Sequence, residues 1–233
     1  MIRRAASARA VPSTTSSRMA LHCARAAGFD ASGLPRPERA NESFAPLAAL
    51  LMRRYMHEYG YEHNDFAPFA LNAHANGAKN PNALFREPIT QKTYARGRIV
   101  ADRITLVDAS PIGDGAAALL LVPADKAPDA VRVIGSAAAI DTLAIHDRED
   151  PLWLKAAETS ANKAYTQANI GPDDVDLFEL HDAFSIMACL LLEAVGFAEP
   201  GQGTWLAKEG AIFIDGQLPT ATMGGLKGRG HPV

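Results

Sequence analysis

Apolar and polar positions change rhythm several times along the chain. Leu47, Leu50, Leu51, Tyr55, Met56 and Tyr59 recur at intervals of three and four and run up to Gly60, which predicts a core-facing helix ended by the glycine. Asn72 to Pro88 is rich in Asn, Gly and Pro and is expected to be irregular. A short helix or turn is expected over Thr90 to Gly97. Ile104 to Val107 alternates weakly, Ser110 to Gly115 reads as a turn, and Ala116 to Val122 is a small-then-aliphatic run of strand type. Pro123 to Pro128 reads as a linker and the best place for a domain boundary, after which Val131 to Ile134 begins a new strand.

Asp150 followed by Pro151 has the form of a helix start. Leu154, Ala157, Ala161, Ala164 and Ala168 then lay a stripe of mostly small side chains along a helix, which would let it lie close against a sheet. Gly171 and Pro172 end that helix, and Val175 to Leu180 is expected to be a strand. Strand, helix and strand in this order argue for an α/β arrangement. Ala183 to Val195 is apolar nearly all round, so it should be a helix buried on every side. A layer of helices held between two sheets would use such an element.

Composition narrows the function classes. The chain has 233 residues, 48% hydrophobic, and a formal net charge of -3, which suits a folded protein and lacks the basic footprint of non-specific nucleic-acid binding. The longest apolar run is too short to cross a bilayer. The two cysteines, Cys23 and Cys189, offer neither a disulfide framework nor a zinc site, and no metal is expected. Met1 to Arg25 is rich in Arg, Ala and Ser, with no acid before Asp30. An organellar transit peptide has that composition, and so does a GC-rich gene read out of frame. The second reading is preferred, and disorder is expected under both. The expected location is cytoplasmic, or an organelle matrix if the leader is a true transit peptide.

Two histidines stand out. His181 falls at the end of the Val175 to Leu180 strand, in His181-Asp182-Ala183-Phe184, and the carboxyl ends of strands in α/β sheets are where ligands usually bind. A helix cap or a loop contact would explain His181 equally well. His231 lies in Gly224-Gly225-Leu226-Lys227-Gly228-Arg229-Gly230-His231-Pro232, where glycines allow close backbone approach. The string is neither a Walker loop nor a dinucleotide fingerprint. His57 and His63 do not share a helical face and are expected at the surface. Val233 follows this turn without a closing element, which reads as a cut chain.

These motifs together resemble the thiolases, most closely the sterol-carrier-protein-type and archaeal acetyl-CoA acetyltransferase branch. The resemblance runs from Phe44 to Val233 and rests on five strings in family order. They are Leu51 to Gly60, His74 with Asn76, Asn80 and Pro81, Asp108 to Ala118, His181 to Phe184, and Gly224 to Pro232. It implies an α/β fold of stacked α-β-α-β-α layers, here incomplete: an unmatched leader over 1–43, the end of the N-terminal half with its loop region over 44–123, and most of the C-terminal half over 124–233.

The chemistry it implies is Claisen condensation of acyl-CoA thioesters or the reverse thiolysis, with the CoA thioester as substrate and no permanently bound cofactor. His231 matches the histidine that helps activate the nucleophile and binds the thioester oxygen. His181 matches the one that orients a water or substrate oxygen in the same hole. Ser110 matches a serine that touches the pantetheine arm in some relatives. Phe184, Gly224 and Gly225 are the further substrate-binding candidates. Both family cysteines lack a counterpart: Cys23 lies in the leader, and Cys189 is expected to be an inert core thiol. The chain alone should therefore be inactive.

Ala221, Thr222 and Met223 also stand where the family usually has Asn-Pro-Ser. Two alternatives remain: a thiolase-fold side-chain aldolase working with an OB-fold partner, and a non-catalytic CoA-thioester-binding or subunit-interaction protein. Assembly as a homo-oligomer or with a complete thiolase is expected of the family, and without its first half the chain should expose apolar sheet surface.

Overall fold

A computed structural model describes residues 44–232. The leader and Cys23 lie outside the described residues. Helix α1 spans Phe44–Tyr59. Its inward face is Ala48, Leu51, Met52 and Tyr55, whereas Leu50 is 61% exposed. The buried stripe is thus rotated from the expected one, because alanines supply part of it. A 3-10 turn, His63–Phe66, leads into α2, Ala67–Gly77. Asn72 to Gly77 is therefore helical, contrary to the irregular structure expected there. Asn72 and Asn76 are buried and hydrogen-bonded across to another loop, so tertiary contacts override their weak helix preference.

Helix α3, Gln91–Ala95, is capped by the Thr90 hydroxyl, which accepts from the Thr93 amide at 3.2 Å. Strands β1, Ile99–Ala101, and β2, Ile104–Thr105, form an antiparallel pair. Strand β3, Ile112–Gly113, pairs in parallel with β4, His231–Pro232. The segment expected as a plain turn thus holds a strand that reaches across the sequence to the Gly-His-Pro string.

Helix α4, Lys155–Ala168, starts later than expected. The Asp150 carboxylate caps a preceding turn by accepting from the Leu152 amide at 2.8 Å. None of the α4 residues is buried. Its small-residue stripe receives an extended segment instead of a paired strand: a Cβ on Gly135 would lie 2.6 Å from the Ala164 carbonyl oxygen.

Helix α5, Ser185–Ala194, is surrounded on nearly every side, as its composition requires, with Ile186, Cys189, Leu190 and Leu192 fully buried. Each such aliphatic side chain contributes about 2 kcal/mol through burial. Glu193 is also buried there and accepts from the Tyr55 hydroxyl at 2.5 Å and the Gly203 amide at 2.9 Å. Burial pushes its carboxyl above the ordinary range despite these donors. Helices α6, Gly203–Lys208, and α7, Gly225–Arg229, complete the described elements.

Three expected strands are not paired as strands. Val175 to Leu180 makes only a parallel bridge, Phe178 to Thr220. Ala116 to Val122 and Val131 to Ile134 carry no strand pairing, and Leu119, Leu120 and Val131 are almost fully exposed. Strand propensity needs a neighbouring strand to satisfy its amides and carbonyls, and among the described residues Ala116 to Val122 and Val131 to Ile134 have none. No helix of the described residues is long and apolar enough to cross a membrane.

Candidate functional site

The site forms where three distant stretches of sequence meet. Ala109 bridges Phe184 in antiparallel fashion, the Ser110 amide donates to the Ala183 carbonyl at 2.8 Å, and the Ser185 amide donates to the Asp108 carbonyl at 3.0 Å. These bonds hold Phe184 extended immediately before α5. One residue beyond Ser110, the Pro111 carbonyl accepts from the His231 amide at 2.8 Å. Ser110, Phe184 and His231 thus belong to one hydrogen-bonded frame.

Glycines close the third side. Gly224, Gly225 and Gly230 adopt φ of 104°, 53° and 108°. A Cβ on Gly225 would come 2.4 Å from Asp182 Oδ2, and one on Gly224 would come 2.8 Å from the Gly77 Cα. Only glycine fits either conformation and approach. The Leu226 amide, at the start of α7, donates to Asp182 Oδ1 at 2.6 Å. Lys227 is buried and its Nζ donates to the Asp182 carbonyl at 2.6 Å, with Asp182 Oδ2 at 3.6 Å.

This frame brings His181 and His231 together, ring centroids 5.0 Å apart and planes at 84°. His181 keeps solvent access. Partial desolvation, then the neighbouring His231 and Lys227, lower its proton affinity against the opposing pull of Asp182. The neutral imidazole therefore persists to lower pH than usual, with one N–H to donate. His231 Nδ1 is buried without a hydrogen-bond partner. All six residues expected at the site, His181, His231, Ser110, Phe184, Gly224 and Gly225, lie in or beside this frame.

A second layer supports it. Asn72 Nδ2 donates to the Thr220 carbonyl at 2.9 Å, Asn76 Nδ2 to the Ala221 carbonyl at 3.2 Å, and Asn80 Nδ2 to the Met223 carbonyl at 2.9 Å. These asparagines hold the loop entering Gly224, in which Ala221 adopts a φ of 48°. His63, expected at the surface, is half-buried: its Nε2 lies 2.7 Å from Asp108 Oδ2 and its ring stacks on Tyr94. Burial alone would raise the Asp108 carboxyl. Hydrogen bonding and charge from His63, with Tyr94 and Thr105 as further donors, hold it below the usual range instead. The sequence pattern did not assign these roles to Asp108, Tyr94 and Lys227, although Asp108 opens one of the motif strings and Lys227 stands among the glycines of another.

Cys189 is the free cysteine of the described residues and is fully buried. Its thiol lies 3.2 Å from Thr204 Oγ1, and burial followed by the Glu193 charge pushes its proton affinity up. That environment suppresses the nucleophilic thiolate, as expected of a core thiol.

The thiolase C-terminal domain-like family matches residues 137–233. The acetyl-CoA acetyltransferase of Methanothermobacter thermautotrophicus is 41% identical over 195 residues, covering 82% of this chain and 51% of that protein. The chain belongs to the thiolase family. A second acetyl-CoA acetyltransferase, from Methanocaldococcus jannaschii, is 38% identical with the same coverages, 82% and 51%. Among solved structures, an Ltp2-ChsH2(DUF35) aldolase superposes with a TM-score of 0.75 and 26% identity, covering 95% of this chain and 57% of that one. The fold is accordingly α/β and thiolase-like. The chain spans about half the length of the curated thiolase-family relatives it matches.

Proposed function

We propose that this thiolase-family chain contributes the thioester-oxygen site of an acyltransferase acting on acyl-CoA, in a Claisen condensation or the reverse thiolysis. The edge-to-face contact of His181 and His231 carries this reading. An acyl-CoA enters with its pantetheine arm along Ser110 and Phe184, and its carbonyl oxygen turns toward the two imidazoles. Negative charge develops on that oxygen as the enolate or tetrahedral species forms, and each preorganised donor there contributes on the order of 3 kcal/mol.

The described residues supply no activated nucleophile, since Cys189 is enclosed. Acyl transfer needs one, so the chain by itself binds and polarises a thioester without turning it over. Following loss of acetoacetyl-CoA absorbance in the presence of free CoA tests this: no thiolysis is expected from the chain, and steady turnover overturns the division of labour.

A second reading is favoured by the superposition on an aldolase that contains a DUF35 partner. In it the same oxygen site polarises a side-chain ketone or thioester for retro-aldol cleavage, in company with an OB-fold protein. Cleavage of a side-chain acyl-CoA appearing only when such a partner is added distinguishes it. Under either reading the chain works in an assembly, as a homo-oligomer or with a further thiolase subunit, and its CoA thioester is substrate, not resident cofactor. Thioester binding with no turnover in any combination supports the non-catalytic role.

A further inference from the structure

Lys227 lies in the glycine-rich string, yet its side chain is entirely withdrawn from solvent. Burying an ammonium is costly unless hydrogen bonds and a counter-charge compensate, and an apolar side chain of similar length would often serve stability as well. A buried lysine therefore calls for a reason other than stability. Its position supplies one. Lys227 lies four residues before His231, and its partner Asp182 directly follows His181.

Helix α7 has five residues, too few to hold its own direction. Contacts fix it instead. Asp182 Oδ1 accepts from the Leu226 amide at 2.6 Å, Lys227 Nζ donates to the Asp182 carbonyl at 2.6 Å, and a Cβ on Gly228 would lie 2.6 Å from the Ala73 carbonyl oxygen. Two of these three ties join α7 to the residue next to His181.

We propose that Lys227 is a positioning residue: its buried Nζ, tied to Asp182, sets His181 against His231. Burial draws the proton affinity of Lys227 itself downward, and the charges of Asp182 and Asp108 oppose that. The proposal rests on the reading of the histidine pair as a thioester-oxygen site, but its geometry does not depend on any substrate. The charged and titratable groups around this ammonium are Asp182 on the His181 turn, His181 itself, Asp108 ahead of Ser110, and His74 on α2. Lys227 opposes protonation of both histidines, ranking behind burial, His231 and Asp182 at His181, and behind burial and the Glu87 hydrogen bond at His74. Asp182 opposes that effect at His181. Lys227 thereby helps keep neutral the imidazole that must donate to an oxygen.

The test is an NMR titration of the histidine ring signals in the full chain, with His181 assigned by its loss in His181→Asn. Lys227→Met should move the His181 midpoint upward and alter the ring shifts of His181 and His231 together; Lys227→Arg should restore both. Asp182→Asn should move the midpoint downward, and it serves as the second probe if Lys227→Met fails to fold. A folded Lys227→Met with an unchanged His181 midpoint and unchanged ring shifts overturns the proposal, and so does an Asp182→Asn midpoint that stays put or rises. Titrating acetyl-CoA into the unsubstituted chain separates the two ideas. Absent binding with the expected histidine shifts defeats the functional reading alone, whereas binding with unmoved histidines defeats the role of Lys227.

Discussion

Asp182 accepts the Leu226 amide at 2.6 Å, and the same carboxylate leaves no room for a side chain on Gly225. Gly225 sits at a φ of 53° with Asp182 Oδ2 at 2.4 Å from where its Cβ would be. Gly225→Ala must therefore distort the backbone and push out a buried carboxylate at once, and it is expected to cost at least about 2 kcal/mol. Gly60→Ala is the control: its φ is 74° but nothing lies within 4 Å, so only the left-handed conformation is penalised, by about 1 kcal/mol. Urea denaturation of both variants checks the difference.

The asparagine row on α2 predicts a second effect. Asn76 Nδ2 lies 3.2 Å from the Ala221 carbonyl and 3.1 Å from Asn72 Oδ1, in a buried setting. Asn76→Ala leaves both acceptors short of a donor, at a cost of about 1–3 kcal/mol. Amide exchange should accelerate at Ala221, whose bond to the Phe178 carbonyl depends on the loop staying in place.

Acid should weaken the fold through His74. Burial, followed by the Lys227 charge, lowers its proton affinity against a hydrogen bond to the Glu87 backbone, so the unfolded chain binds a proton that the folded one resists. Stability is then retained above the ordinary histidine range and lost as pH falls through it, from about 7 to about 5. Buried Glu193, with its raised proton affinity, acts in the opposite direction as pH falls, so the informative quantity is a difference. His74→Gln should lose less stability than the unsubstituted chain over that interval. An identical slope in the two proteins contradicts the assignment.

The exposed apolar segments make a prediction about solution behaviour. Leu119, Leu120, Val131 and Ile140 are 90%, 89%, 99% and 98% exposed, in extended stretches without ladder partners among the described residues. Unpaired extended apolar chain is a template for association. Size-exclusion chromatography with light scattering should show oligomers or aggregates, reduced by the pair Leu120→Lys and Ile140→Lys. A monodisperse monomer that melts cooperatively contradicts this.

Helices and turns were more legible in the sequence than strands, and the reason is physical. The α5 run is apolar around nearly its whole circumference and has one solution, burial. The inward face of α1 could be read only approximately, because Ala48 and Ala49 carry little hydrophobic signal while Leu50 carries much and points outward. Strand propensity at Leu119 to Leu121 or Val131 says nothing about whether a partner strand is present to complete the ladder. At the site, the residues expected from the resemblance do come together, but the agents that hold them are long-range. The β3 to β4 pairing joins Ile112 to His231, and His63 finds Asp108. Local patterning cannot show contacts between residues so far apart in sequence.

The most direct test of the thioester-oxygen site is calorimetric titration of acetyl-CoA and free CoA into the chain and into His181→Ala and His231→Ala. The two ligands differ at the thioester carbonyl that the histidines are placed to meet. The account predicts that acetyl-CoA binds more tightly than CoA, and that either substitution removes this preference, a loss of roughly tenfold for acetyl-CoA, while CoA binding is unchanged. Equal affinity for the two ligands, or a preference that survives both substitutions, contradicts it.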